Sequence, residues 1–294
     1  MAQSRFSIVI PTYRRPDQLA RCLDAIGLLD YPRDGFEVVV VSDEANSTSV
    51  TIAVGHLATL PLRVVNQDHS GPARARNTGA AATTGEFLLF LDDDCAPAPD
   101  WLRQWDLHAS RHPGSAAGGG TRNALRNNLY SSATHALVEY MQQSSDAGKS
   151  DLAFLASNNL CLPADRFRAL GGFSTTFPLA AAEDRDFCDR WRTRGWPLLR
   201  AELAVVHHAH QLTFSGFWRQ QRNYGRGAFQ LHRERLARNQ LAGIGHLEFY
   251  VNLILFPWNR ENPWRALLLS TLLVLAQVAS ATGYAGEWRR GLRR

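Results

Sequence analysis

Lysine is all but missing from this chain. Lys149 is the only one in 294 residues, and the rest of the 32 basic side chains are arginines. A GC-rich coding sequence would account for the missing lysines but not for where the arginines sit. Residues 1–189 carry a net charge of −6 and residues 190–294 a net +11, which together make the chain's +5. So one-sided a distribution marks a surface for an anionic partner, either nucleic acid or acidic lipid headgroups. Cysteine is also scarce. Cys22, Cys95, Cys161 and Cys188 are scattered, with no C-x-x-C pair and no ligand-like spacing. That argues against a disulfide scaffold or a zinc cluster and predicts reduced, mostly buried thiols. No glycine period suggests collagen or a repeat array, and a 45% hydrophobic content excludes wholesale disorder. No apolar leader or cleavage site precedes the first strand-like run, so the sequence predicts that any catalytic part stays where it is made. The length suits one large α/β domain or two small ones.

What is present is an alternation of short apolar runs with helical periods. Residues 6–11 (FSIVIP), 36–41 (FEVVVV) and 86–91 (EFLLFL) read as buried strands. Between them, Leu19, Cys22, Leu23 and Ile26 share a helical face, and further helices are expected around residues 51–58 and 73–82. A short strand at 62–66 completes the series. Near-continuous apolar strands alternating with helices argue for a mostly parallel α/β sheet with helices on both faces. In such sheets ligands bind beyond the carboxyl ends of the strands. Pro11, Thr12 and Tyr13, then Asp43, then Asp92, Asp93 and Asp94 all fall there. Residues 97–150 look less regular, with a glycine triplet at 118–120, and the polar stretch 142–150 reads as a loop.

Three adjacent carboxylates repel one another unless a cation is present. At the end of an apolar strand, Asp92, Asp93 and Asp94 are better suited to a hard divalent ion than to a solvated turn. Mg²⁺ or Mn²⁺ takes oxygen ligands and commonly bridges to a diphosphate. A second acidic group, Glu183, Asp184 and Asp186, opens a helical period. Acids are favoured there by the helix dipole alone, and a general base is the equally open functional reading.

Six segments in this order carry a family resemblance: FSIVIPTYRRPDQL, EVVVVSDEANS, GPARARNTGAA, EFLLFLDDDC, NNLCLPADRFRALGGF and EDRDFCDRWRTRGW. Together, over residues 6–227, they resemble a family 2 inverting glycosyltransferase of the GT-A fold. The resemblance implies a nucleotide-sugar donor, a UDP-sugar by default, whose base lies against Pro11, Thr12 and Tyr13. Asp43 would bond the nucleobase or ribose, and Arg74 and Asn77 would lie beside the nucleotide. Asp92 and Asp94 form the D-x-D pair, with Asp94 on the metal and Asp92 or Asp93 on the ribose or sugar. Asp184 matches the catalytic base, with Glu183 beside it. The family's usual Asp-Asp-Gly-Ser turn is replaced here by Ser42-Asp43-Glu44-Ala45, which loosens the assignment of the base. In similar enzymes a histidine after the base helix completes the metal site. His208 is the best match, with His207 and His210 as rivals.

Beyond residue 213 the chain turns basic and aromatic. Phe214, Phe217, Trp218, Gln221 and Tyr224 repeat at helical steps, with Arg219, Arg222, Arg226 and Arg233 in other positions. Such a helix fits a membrane interface, and packing on the sheet would account for part of the same face. Residues 266–286 contain no charge, and about 20 apolar residues suffice to span a bilayer. Interfacial attachment or an oligomer contact are alternatives to spanning. The motif Q-x-x-R-W is missing, which by the same resemblance favours transfer of one sugar at a time.

The expectation is therefore a GT-A catalytic domain over residues 1–212 and a basic, apolar membrane-attachment region over 213–294. The acceptor is expected to be a lipid-linked or cell-envelope glycan at the cytoplasmic face of the membrane. A nucleic-acid partner would leave both acidic clusters and the apolar tail unexplained and is not expected. A nucleotidylyltransferase should open with a glycine-rich phosphate loop, which the first strand lacks. An inactive glycan-binding relative would have no need of Asp94 and Asp184.

Overall fold

The computed structural model describes residues 4–44, 48–146, 154–177, 179, 181–240 and 247–292. Ala45 and Lys149, named above, lie outside them. The first half alternates strictly: β1 (Phe6–Thr12), α1 (Pro16–Gly27), β2 (Phe36–Ser42), α2 (Thr48–Gly55), β3 (Leu62–Asn66), α3 (Pro72–Ala81) and β4 (Phe87–Leu91). Then follow β5 (Cys95–Pro97), α4 (Trp101–Arg111), β6 (Ala116–Asn123), α5 (Leu129–Asp146), β7 (Asn159–Pro163), α6 (Ala164–Leu170), α7 (Glu183–Thr193) and β8 (Leu198–His208). Helices α8 (Phe214–Ala237), α9 (Leu247–Leu255) and α10 (Pro263–Gly291) close the chain.

The eight strands form one sheet in the order β3-β2-β1-β4-β7-β6-β8-β5. β3, β2, β1 and β4 are parallel, while β7 joins β4, β6 joins β7 and β5 joins β8 antiparallel. The sheet is thus mixed: the parallel half is the part whose apolar runs were legible, because strands covered on both faces are apolar throughout.

Residues 97–150 are more regular than their composition suggests. Helix α4 buries Trp101, Leu102, Trp105 and Ala109, a stripe at helical spacing. The glycine triplet lies inside β6, where it serves close approach: a Cβ on Gly119 would come within 2.5 Å of the Ala204 carbonyl on β8. Residues 142–146, expected in a loop, continue helix α5, whose inward face buries Ala133 and Leu137. Polar residues at the end of a helix look like a loop when composition alone is read.

The chain forms two compact units, residues 1–122, 155–178 and 187–209 in one and residues 123–154, 179–186 and 210–294 in the other. The first is built on the sheet, with Phe6, Ile8, Ile10, Val38, Val40, Leu89 and Leu91 in its core beneath the apolar stripe of α1. Buried Glu37 ties four segments of it together. Its carboxylate accepts from Ser7 Oγ at 2.7 Å and from Thr84 N at 2.6 Å, and it pairs with Arg63. Burial alone would disfavour its ionisation, but these hydrogen bonds outweigh that and hold the carboxyl below the usual glutamate range.

The second unit is helical. Leu269, Leu273 and Ala276 of α10 are buried against Ala133 and Leu137 of α5, Phe217 of α8 and Leu253 of α9. Thr213 caps α8 through Gly216 N, and Asn262 caps α10 through Arg265 N, with Pro263 at the first helical position.

Candidate active site

The carboxyl ends of β1, β2 and β4 converge on the first acidic cluster. β1 runs through Pro11 to Thr12, and Thr12 Oγ1 donates to Asp93 Oδ2 at 2.8 Å. Arg15, the residue before α1, reaches Asp93 Oδ1 at 3.2 Å and Asp94 Oδ2 at 3.1 Å. Arg76, buried on α3, donates to Asp92 Oδ1 at 2.8 Å. The expected repulsion is therefore offset by two guanidinium groups that spacing alone did not single out. Asp93 is nonetheless pushed up to about 7: burial is the main cause, Arg15 opposes it and the neighbouring aspartates add to it.

β8 supplies the histidine. Its antiparallel register with β5 sets His208 opposite Cys95 and His207 opposite Ala96. His208 Nε2 lies 3.1 Å from Asp94 Oδ1. Alternation along the strand sends exposed His207 to the opposite face. His210 belongs to the second unit, with Nδ1 3.5 Å from Gln220 Nε2. Burial works against protonation of His208, but the charge of Asp94 and the hydrogen bond to it prevail and raise the imidazole above its ordinary value.

Donor atoms of Asp94, Cys95 and His208 all lie within 4.8 Å of one another. Burial, then the charges of Asp94 and Asp92, drive the Cys95 thiol far above its usual range, which disfavours its thiolate while no ion is bound. The remaining carboxylate and imidazole make an oxygen–nitrogen pair that fits a divalent ion of the Mn²⁺ type, with open positions for ligand oxygens.

Asp43 is buried and fully engaged. Its two oxygens accept from Gln67 Nε2 at 2.6 Å and from His69 Nδ1, Ser70 N and Gly71 N, each at 2.9 Å. It shapes the loop between β3 and α3, and His69 in turn stacks on half-exposed Tyr13 with ring centres 4.1 Å apart. Arg14, next to Tyr13, has a left-handed backbone with φ of 55° and its guanidinium over the Tyr13 ring. A non-glycine residue held in that region stores strain, which collects at ligand sites. Arg74 is exposed on α3. Asn77 uses both ends of its amide on the Phe173 backbone, at 2.8 Å each way.

In the second unit, Glu183, Asp184 and Asp186 occupy the first turn of α7. Glu183 and Asp186 are buried, and Asp186 pairs with Arg238 at 2.8 Å. Asp184 is half-buried and accepts from Arg185 N. Of these three acids it is the one that solvent reaches most readily. Ala182, just before the helix, sits at φ 72°, another strained non-glycine position.

Comparison with known proteins agrees with this arrangement. Residues 7–154 match Glycosyl transferase family 2, and residues 87–285 match Glycosyl transferase family group 2. The chain belongs to glycosyl transferase family 2. It is 26% identical over 227 residues to glycosyltransferase AglE of Haloferax volcanii, covering 76% of this chain and 73% of that protein. Against the poly(ribitol-phosphate) β-N-acetylglucosaminyltransferase TarS of Staphylococcus aureus it is 33% identical over 92 residues, 31% of this chain and only 16% of TarS. Among solved structures, the mannosyltransferase PcManGT of Pyrobaculum calidifontis in complex with GDP-Man and Mn²⁺ superposes with a TM-score of 0.61 at 21% identity, covering 99% of this chain and 81% of that one. The fold is GT-A.

Proposed function

We propose that this family 2 member is a metal-dependent, inverting glycosyltransferase that adds one sugar at a time to a lipid-linked or cell-envelope glycan at the cytoplasmic face of the membrane. The observation that carries the metal part of this reading is the 3.1 Å approach of His208 to Asp94 at the end of the apolar strand β4. Asp94 and His208, with Asp92 near them, would hold Mn²⁺ or Mg²⁺. Such an ion, when bound, would offset charge on the leaving diphosphate. The donor is proposed to be a UDP-sugar. PcManGT was solved with GDP-Man and a TarS fragment with UDP-GlcNAc, both nucleoside diphosphate sugars.

The protein's own groups have separate tasks in this proposal. Pro11, Thr12 and Tyr13 form the wall for the nucleobase, Asp43 fixes the loop that borders it, and Arg74 meets the phosphates. Asn77 supports that helix from behind through Phe173. Asp92 or Asp93 bonds the ribose or sugar. Asp184, favoured over Glu183 by its exposure, takes the proton from the acceptor hydroxyl. The acceptor oxygen forms a bond to the anomeric carbon as the bond to the diphosphate oxygen breaks, and configuration inverts. Residues 1–212 would bind the donor and residues 213–294 would attach the enzyme to the membrane. The test is to incubate the protein with nucleotide sugars and bacterial membrane lipid extract and to read the product's anomeric configuration by NMR. An inverted linkage on a lipid-extractable product is expected. A retained linkage, or transfer only to water-soluble acceptors, would overturn the corresponding part.

A further inference from the structure

Helix α10 is 29 residues long and apolar enough to cross a bilayer by length and composition. Its surroundings argue against crossing. The stripe Ala266, Leu269, Leu273, Ala276, Ala279 and Gly283 is buried. Along it α8 runs in the same direction: Gly225 meets the Ser280 carbonyl, Phe229 meets Tyr284, and Arg226 pairs with Glu287 at 2.6 Å. A Cβ on Gly225 would stand 1.8 Å from Ser280 O, and one on Gly283 would stand 2.0 Å from Arg222 O, so the two backbones touch. With Gly225 against Ser280 and the Arg222 carbonyl against Gly283, the exposed side chains Arg219 and Arg222 stand about level with residues 274–283, since parallel helices rise equally per residue. That is inside the uncharged stretch, toward its carboxyl end. A spanning α10 would carry two arginines into the hydrocarbon, where charge is costly.

The other face of α10 is exposed and apolar. Trp264, Leu267, Leu268, Val274 and Val278 lie on one side of the helix, with Trp264 79% exposed. Beside them, Val251, Leu255 and Trp258 form a similar row, and Trp258 is tied to α10 through Ser270 at 3.1 Å. Among the described residues, nothing covers these rows. Exposed Arg219, Arg222 and Arg233 share one side of α8, and Arg289 and Arg290 end α10. An apolar row accompanied by cations matches a single leaflet with anionic headgroups.

We infer that the second unit lies in the plane of the membrane, with the Trp264–Val278 row in one leaflet and the α8 arginines at headgroup level, and that α10 does not cross. This rests on the membrane attachment proposed above. To test it, cysteines are placed singly at Leu267, Val274 and Val278 of the full chain, where the four native cysteines are buried and leave labelling selective. Each is labelled with an environment-sensitive fluorophore, bound to phosphatidylethanolamine–phosphatidylglycerol vesicles, and read with quenchers at graded depths. All three labels are expected at one shallow depth, roughly 5–10 Å below the headgroups. A profile with Val274 deep and its neighbours rising toward opposite sides would overturn the inference while leaving membrane attachment intact. In parallel, Leu267→Ser with Leu268→Ser should weaken binding at least tenfold. Arg219→Gln with Arg222→Gln should weaken it on the anionic vesicles only, by about fivefold per arginine. If both pairs bind like the wild type, this face is not the contact. A protein that dimerises and ignores vesicles would overturn the membrane attachment itself and assign the face to a second copy.

Discussion

Asp94 is the residue on which the site turns, because it meets Arg15 from one side and His208 from the other. Removing a metal ligand should cost at least as much as removing a supporting partner, which is about 10–100-fold in affinity. Asp94→Asn and His208→Ala are therefore each expected to weaken Mn²⁺ binding more than tenfold, as read by the free-ion EPR signal. Unchanged binding would remove the pair from the metal site. Asp184→Asn should behave differently, leaving nucleotide affinity within about twofold of wild type and lowering turnover about 10²–10⁴-fold. A variant that loses binding and turnover together would point to a structural role. The aspartates were legible because three carboxylates after a buried strand are chemically costly. Arg15 and Arg76, which offset that cost, were not, because only the fold brings residues 15 and 76 to residues 92–94. The three histidines were separable only by register, since a sequence does not show which strand pairs with β8.

At the scale of elements, the strands of the parallel half were readable and the antiparallel half was not. β1, β2 and β4 are apolar on both faces, whereas β6 is mostly glycine and alanine and β8 alternates with exposed residues. Helix α5 was not expected at all, because residues 97–150 read as irregular and its polar end, from Gln142 on, as a loop. Glu37 gives this half a testable anchor. Its carboxyl is held below the ordinary range by Thr84, Ser7 and Arg63, so its contribution to stability is full above the unfolded glutamate value. It is lost as pH falls through the lower folded value. Glu37→Gln should destabilise the protein by about 1.5–3 kcal/mol at pH 7 in urea unfolding, with a smaller penalty at pH 3. An equal penalty at both pH values would mean that the charge of Glu37 does not matter.

For the whole molecule, the charge asymmetry and the long apolar helix were visible in the sequence, but how they combine was not. Hydropathy sees the 266–286 stretch and cannot see that α8 lays its arginines alongside it. The family likewise could be read from six ordered segments, while the donor base could not, because Ser42-Asp43-Glu44-Ala45 stands where the family's usual turn would assign it. The central claim is that this fold and site transfer a sugar with help from a divalent ion. Its most direct test is release of nucleoside diphosphate from a panel of nucleotide sugars, with membrane lipid extract present, with and without Mn²⁺ or Mg²⁺. Release from a UDP-sugar that requires the ion and rises with the extract is the predicted result. Release that persists at full rate after chelation, or none from any donor by folded protein, would contradict it.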